Sequence, residues 1–246
     1  METRRSLQQD DAAELAADLA ACGRIIRDGS KSFHAASLLL PREVRAAAYA
    51  LYAFCRVSDD AVDEGAEPAA ALRDIRRRLR LADAGRPDPS SVDRAFAWVL
   101  SAYGIPVSVP EALVEGFEWD AEGRRFETLE DVKSYAARVA ATVGVMMTLV
   151  MGVRSREALA RACDLGLAMQ LTNIARDIGE DARAGRCYLP SEWLREAGLT
   201  AHELASLDEA DDRVRMLTER MLDAARPLYA AGISGIGLLP EACRPA

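Results

Sequence analysis

The chain has 246 residues, half of them hydrophobic, with 28% charged and 6% aromatic, which is enough for at least one substantial core. A net charge of −8 argues against nucleic acid as a partner. Only two histidines are present, His34 and His202, so a His-rich metal centre or a His-based triad is hard to build, and the five cysteines, odd in number and without a CxxC pair, read as reduced, small apolar residues. The polar start has no apolar signal region, and the longest uncharged run, residues 139–153, is shorter than the roughly 18–20 residues a membrane span needs. The chain therefore reads as cytoplasmic, with docking at the inner face of a membrane left open.

Alanine, leucine, arginine and glutamate dominate, β-branched runs are scarce, and the expected fold is all-α. Residues 10–28 have helical periodicity, with Leu15, Leu19, Cys22 and Ile26 on one face. Gly29 breaks it, and Ser30 to His34 read as a short polar link. Pro41 suits the first position of a helix over residues 41–64. Residues 65–68 are a break, 69–84 a helix rich in arginine, 85–91 a loop, 92–103 a helix, 104–110 a further break and 111–122 a helix. Thr128 and Asp131 form a capping box that opens one long apolar helix over 129–152, with Gly144 in its interior. Such a glycine signals close helix packing or room for a ligand. Residues 155–181 form the next helix, and 183–190 a loop. Thr200 and Glu203 form another capping box, 210–229 a last helix, and the chain leaves through a glycine-rich stretch.

Two acidic clusters stand out. Gln170, Asn173, Ile174, Asp177 and Asp181 fall on about a third of a helix circumference, and four of the five carry side-chain oxygen. On the 41–64 helix, Tyr52, Arg56, Asp59 and Asp63 share one stripe, and Asp60 and Glu64 form a displaced pair. Acids near a helix C-terminus oppose the macrodipole, which a bound cation would offset. By contrast, the acids of residues 206–213 sit at a helix N-terminus, where the dipole accounts for them. Two carboxylate helices facing each other suit divalent ions bridged to a diphosphate, since Mg²⁺ takes oxygen ligands and keeps water or phosphate in its shell. Arg56 lies on its stripe and is assigned to phosphate. Arg176 lies off its own, and an intrahelical ion pair with Glu180 accounts for it. Ser30, Lys31 and Ser32 form a turn or a diphosphate contact. Tyr52, Tyr135 and Tyr188 read, residue by residue, as core tyrosines, and Met146, Met147 and Met151 as core or pocket lining.

Residues 29–41 (GSKSFHAASLLLP), 49–64 (YALYAFCRVSDDAVDE), 135–152 (YAARVAATVGVMMTLVMG) and 170–194 (QLTNIARDIGEDARAGRCYLPSEWL), in this order, resemble the squalene and phytoene synthases, the bacterial phytoene synthase branch above all. The resemblance implies an all-helical, single-domain bundle of the isoprenoid synthase type over residues 1–246, with a central apolar cavity and without the family's usual C-terminal helices. It implies that Asp59, Asp63, Asp177 and Asp181 are catalytic and, with Asn173, metal-binding. Ser30, Ser32 and Arg56 match diphosphate-contacting positions; Phe33, Tyr52, Val143, Gly144, Gln170 and Tyr188 match pocket positions. The implied reaction joins two geranylgeranyl diphosphates to phytoene with Mg²⁺ (or Mn²⁺) and no NADPH, in a monomer or weak homodimer. Two alternatives stand beside it: a squalene or dehydrosqualene synthase acting on farnesyl diphosphate, and a non-catalytic lipid-binding or scaffolding protein with relic aspartates. The stretch AARVAATVG departs from the family, which often has aromatic and glycine residues there.

Overall fold

Every regular element among the described residues is helical. The structure, a computed structural model, describes residues 2–63, 65, 67–207 and 211–246, with side chains from Ala12 onward. The chain divides into two compact units. Unit 1 comprises Met1–Glu111, Met146–Arg154 and Gly237–Ala246; unit 2 comprises Ala112–Val145 and Ser155–Ile236.

Unit 1 is built on α1 (Glu2–Gly29), α2 (Lys31–Ser37), α3 (Arg42–Asp63), α4 (Pro68–Asp83) and α5 (Ser91–Tyr103). The link after Gly29 is a helix rather than a turn, because Ser30 caps it by accepting the Phe33 N–H. Pro41 stands just before α3 and supplies the carbonyl for its first bond, from Arg45 N–H at 2.9 Å. Glu64, expected to end this helix and pair with Asp60, lies outside the described residues. Ser90 caps α5 and Gly104 ends it in the left-handed conformation, φ 55°, that glycine adopts without strain.

The core of unit 1 centres on Phe54 of α3 and Phe96 of α5, stacked at 3.8 Å between centroids. Leu51, Ile75, Leu79 and Val99 are buried with them. Arg78 covers the Phe54 ring at 5.5 Å and donates to Asp93 at 2.8 Å, with both side chains nearly excluded from water. Arg94 clamps the buried Asp18 of α1 with two bonds of 2.7 Å, which ties α1 to α5. Met147 and Met151 pack on a small cluster of Leu40, Ala48 and Cys243.

Helix α6 (Ser108–Ala121) begins before Pro110, which sits in the first turn, where its missing N–H is not needed; the expected break over 104–110 is therefore shorter. The capping box at Thr128 and Asp131 is present in both directions. The long apolar helix expected after it is interrupted. Helix α7 (Leu129–Ala136) passes into a π-helical turn, Ala137–Ala141, before α8 (Thr142–Val150). The cause lies opposite: a Cβ on Gly166 would stand 2.7 Å from the Ala141 Cα and 2.9 Å from the Ala140 carbonyl. Backbone approaches backbone there, and the widened turn fits it. Gly166→Ala should therefore cost about 1–3 kcal/mol, read as a lowered urea midpoint with an unchanged slope; an unaltered midpoint would mean that the π turn has another origin.

Unit 2 is organised on α9 (Arg156–Arg183), capped by Ser155, with α10 (Ser191–Glu196), α11 (Ala201–Leu204) and α12 (Asp212–Ser234). Helix α10 was not expected; Pro190 and Phe126 make it, since the Phe126 carbonyl accepts both the N–H and the hydroxyl of Ser191, at 2.8 and 2.9 Å. The Thr200–Glu203 box is present, on a helix of only four residues. Asp208, Glu209 and Ala210, in the acidic stretch and at the expected start of the last helix, lie outside the described residues. Helix α12 packs along α9, where Leu171 and Ile174 meet Leu217 and Met221 in one buried cluster. All five cysteines are free thiols.

Candidate active site

In unit 1 the site residues come from the α1–α2 junction and the second half of α3. Ser30 Oγ accepts the Phe33 N–H at 3.3 Å and lies 3.4 Å from Ser32 Oγ, so two hydroxyls stand together at a helix start. Phe33 is 51% exposed and meets Tyr52 edge-on at 6.4 Å. Gly29 makes room for Tyr52: a Cβ there would fall 2.5 Å from its hydroxyl. Burial raises the Tyr52 pKa, with the Arg56 charge working against that. Arg56 donates to Asp60 at 3.0 and 2.8 Å, an exposed i,i+4 pair. Its guanidinium therefore has an intrahelical partner, though one worth only a few tenths of a kcal/mol and open to exchange for a phosphate. Asp59, half-buried, and Asp63, exposed, occupy the last two turns of α3, which carry no basic residue to oppose the dipole.

In unit 2, Gln170, Asn173, Asp177 and Asp181 rise along α9, all half-buried, with Ile174 buried among them. Burial, then repulsion from Asp177, push the Asp181 pKa up to about 6, against attraction from Arg186. Arg176 does form an ion pair within the helix, but its partner is Asp177, at 2.7 and 2.6 Å, and not Glu180. Asp177 is the less hydrated acid, so the pair forms in a less screening environment than the exposed Glu180 offers. Val143 and Gly144 open α8. A Cβ on Gly144 would stand 2.8 Å from the Ala162 carbonyl of α9, so this glycine serves close helix packing.

Tyr188 follows α9 and, like Tyr135, has found a partner for its hydroxyl, as a core tyrosine does. Its hydroxyl donates to Asp120 at 2.7 Å, and that of Tyr135 donates to the same carboxylate at 2.8 Å. The two rings stack at 5.0 Å, with Phe126 against both. A water-sized cavity of ≈10 Å³ is lined by Ile174, Asp181, Cys187, Tyr188 and Leu204, among others. Asp120 escaped the sequence reading. It lies in the last turn of α6, where an acid opposes the helix dipole, and the argument applied to Asp63 and Asp181 would have flagged it.

The acidic stripes suit a divalent cation. They offer hard oxygen donors, and Asp181 is pushed toward its neutral form by burial first and by the Asp177 charge next, both of which a bound cation would offset. Among the described residues no three Asp, Glu, His or Cys side chains enclose a metal by themselves. A cation on either stripe would take its remaining ligands from water or from a phosphate.

An all-helical chain with carboxylate stripes at the ends of two helices is the architecture of the isoprenoid synthases. The chain is similar to a dehydrosqualene synthase of solved structure (TM-score 0.87, 33% identity, covering 94% of this chain and 81% of the other) and to a squalene synthase from Alicyclobacillus acidocaldarius (TM-score 0.85, 29% identity, 94% and 88%). Residues 26–246 match the squalene/phytoene synthase family, and the chain belongs to it. It is 53% identical over 239 residues to a phytoene synthase from Cereibacter sphaeroides, covering 93% of this chain and 67% of the relative. To a 15-cis-phytoene synthase from Paracoccus sp. it is 42% identical over 229 residues, covering 89% and 73%.

Proposed function

We propose that the chain is a divalent-metal-dependent phytoene synthase, a prenyltransferase that joins two geranylgeranyl diphosphates head to head through a cyclopropyl diphosphate. The observation that carries this reading is the 53% identity to a phytoene synthase across 93% of the chain. The half-buried acids of α9 and the acidic end of α3 give it a chemical basis.

In this reading Asp59, Asp63, Asn173, Asp177 and Asp181 hold Mg²⁺, which Mn²⁺ can replace. The bound cations supply neutralisation of the diphosphate as it leaves. Ser30 and Ser32 present hydroxyls to phosphate oxygens, and Arg56 exchanges its exposed bond to Asp60 for a charge-assisted bond to the diphosphate. Phe33, Tyr52, Val143, Gly144, Gln170 and Tyr188 line the path of the hydrocarbon and keep water from it. No NADPH enters, since the sequence ends in proton loss and not in hydride delivery. No described helix is long and apolar enough to cross a membrane, and the proposed place of work is the cytoplasm, at the membrane surface where such substrates partition.

The test is incubation with C15 and C20 diphosphates and Mg²⁺, with and without NADPH, followed by hydrocarbon analysis. Phytoene from the C20 substrate, indifferent to NADPH, is expected. A C30 hydrocarbon made in preference would assign the chain to squalene or dehydrosqualene synthesis, and lipid binding without diphosphate release would make it a non-catalytic relative.

A further inference from the structure

Unit 1 leaves two adjacent leucines in water, Leu38 at 53% exposure and Leu39 at 55%. They occupy the turn between α2 and α3, and that turn is tied down. The N–H groups of Leu38, Leu39 and Leu40 donate in succession to the carbonyls of Ala35, Ala36 and Ser37, at 3.2, 3.0 and 3.0 Å. The Ser37 hydroxyl donates to the His34 carbonyl at 2.6 Å. Leu40 plugs the turn into the cluster it shares with Ala48 and Cys243. One exposed leucine is ordinary. Here two stand together, and neither can turn inward without withdrawing the plug.

Charge is the second observation. The chain carries −8 overall, yet residues 24–45 hold five bases, Arg24, Arg27, Lys31, Arg42 and Arg45, against two acids, Asp28 and Glu43. All but Arg45 of the five are exposed, and among the described residues none of them forms an ion pair. Arg42 and Arg45 stand at the start of α3, where a positive charge opposes the helix dipole. Stability alone does not place them there, and an anionic surface against the turn would offset their cost. A protein partner fits poorly. Two half-exposed leucines are a small part of the roughly 800 Å² that each side of a stable complex buries. A bilayer asks for no shaped surface: leucine enters the acyl boundary while lysine and arginine stay among the headgroups. We propose that the α2–α3 turn docks the chain on an anionic phospholipid bilayer, with Leu38 and Leu39 inserted and Lys31 and Arg42 at the headgroup phosphates. This deepens the reading proposed above and rests on it for its purpose. Helix α2 has seven residues and is about 10 Å long. Docking therefore holds the Ser30 and Ser32 hydroxyls near the bilayer that dissolves the tail of a prenyl diphosphate.

The experiment is co-sedimentation of the full chain with vesicles of phosphatidylcholine and phosphatidylglycerol in equal parts, beside vesicles of phosphatidylcholine alone. The anionic vesicles bind the chain more tightly, and high salt weakens that binding. Leu38→Ser combined with Leu39→Ser lowers the partition coefficient on the order of tenfold. Arg42→Gln lowers it by a smaller factor and carries the test if the double variant does not fold. With the double variant, diphosphate release from C20 substrate is unchanged in detergent and reduced when the substrate is supplied in vesicles. No binding by the unmodified chain, equal binding to both kinds of vesicle, or unchanged binding by the variants would overturn the inference. So would a dimer in solution that the double variant abolishes, since the turn would then be a contact between copies. Vesicle binding is read without turnover, so its failure is distinct from that of the phytoene synthase reading, which diphosphate release in detergent tests.

Discussion

Asp177→Ala lowers diphosphate release from geranylgeranyl diphosphate by about a thousandfold while leaving the helix content unchanged. In the proposed reaction the loss is large because the charge acts where the leaving group departs, and Asp177 is half-buried, where a charge is less screened than in water. The fold survives because the acid contributes little there to stability, its one pair being with the exposed Arg176. It stands near the C-terminus of α9, against the dipole, and its charge raises the cost of ionising Asp181. Alanine is also the better helix former. Asp59→Ala, on α3, has an effect of the same order if both stripes serve one diphosphate. Circular dichroism alongside a diphosphate-release assay separates loss of chemistry from loss of fold. Release within a few-fold of the unmodified chain would remove Asp177 from the machinery.

The second large effect falls on stability. Asp93→Ala leaves Arg78 charged and buried beneath the Phe54 ring, without the carboxylate that holds it at 2.8 Å. Asp93 also receives the Ser90 hydroxyl, and that bond is lost as well, whereas the N–H at position 93 still donates to the Ser90 cap of α5. Breaking one side of a buried pair costs about 3–5 kcal/mol, which lowers the melting temperature on the order of 10 °C for a chain of this size. Replacing both residues by leucine removes the stranded charge, and the double variant melts above Asp93→Ala. If the double variant is the less stable, the pair contributes more than its desolvation costs.

The helices were legible wherever a signal was local. Thr128 with Asp131 and Thr200 with Glu203 mark capping boxes that form as their spacing requires. Gly104 ends α5 and Ser155 opens α9 where the pattern changes. Misses arose where distant residues decide. The π turn at Ala137–Ala141 depends on Gly166, some 25 residues on, and no periodicity within the turn announces it. Helix α10 depends on the Phe126 carbonyl.

The stripes on α3 and α9 were visible because an acid repeated every four residues is a local pattern. The Asp120 cluster was not. Its three members come from α6, α7 and the loop after α9, and each taken alone is an ordinary residue. Arg176 teaches the same lesson at shorter range. Helical spacing pointed to Glu180, but the less exposed Asp177 is the acid that pairs with it.

The stoichiometry of the reaction tests the central claim most directly. Purified protein is incubated with geranylgeranyl diphosphate and Mg²⁺, and diphosphate and hydrocarbon are quantified in the same sample. Head-to-head condensation predicts two diphosphates released per phytoene formed, with both products lost when the metal is chelated. Diphosphate released with prenyl alcohol alone, or at a rate indifferent to chelation, would contradict it.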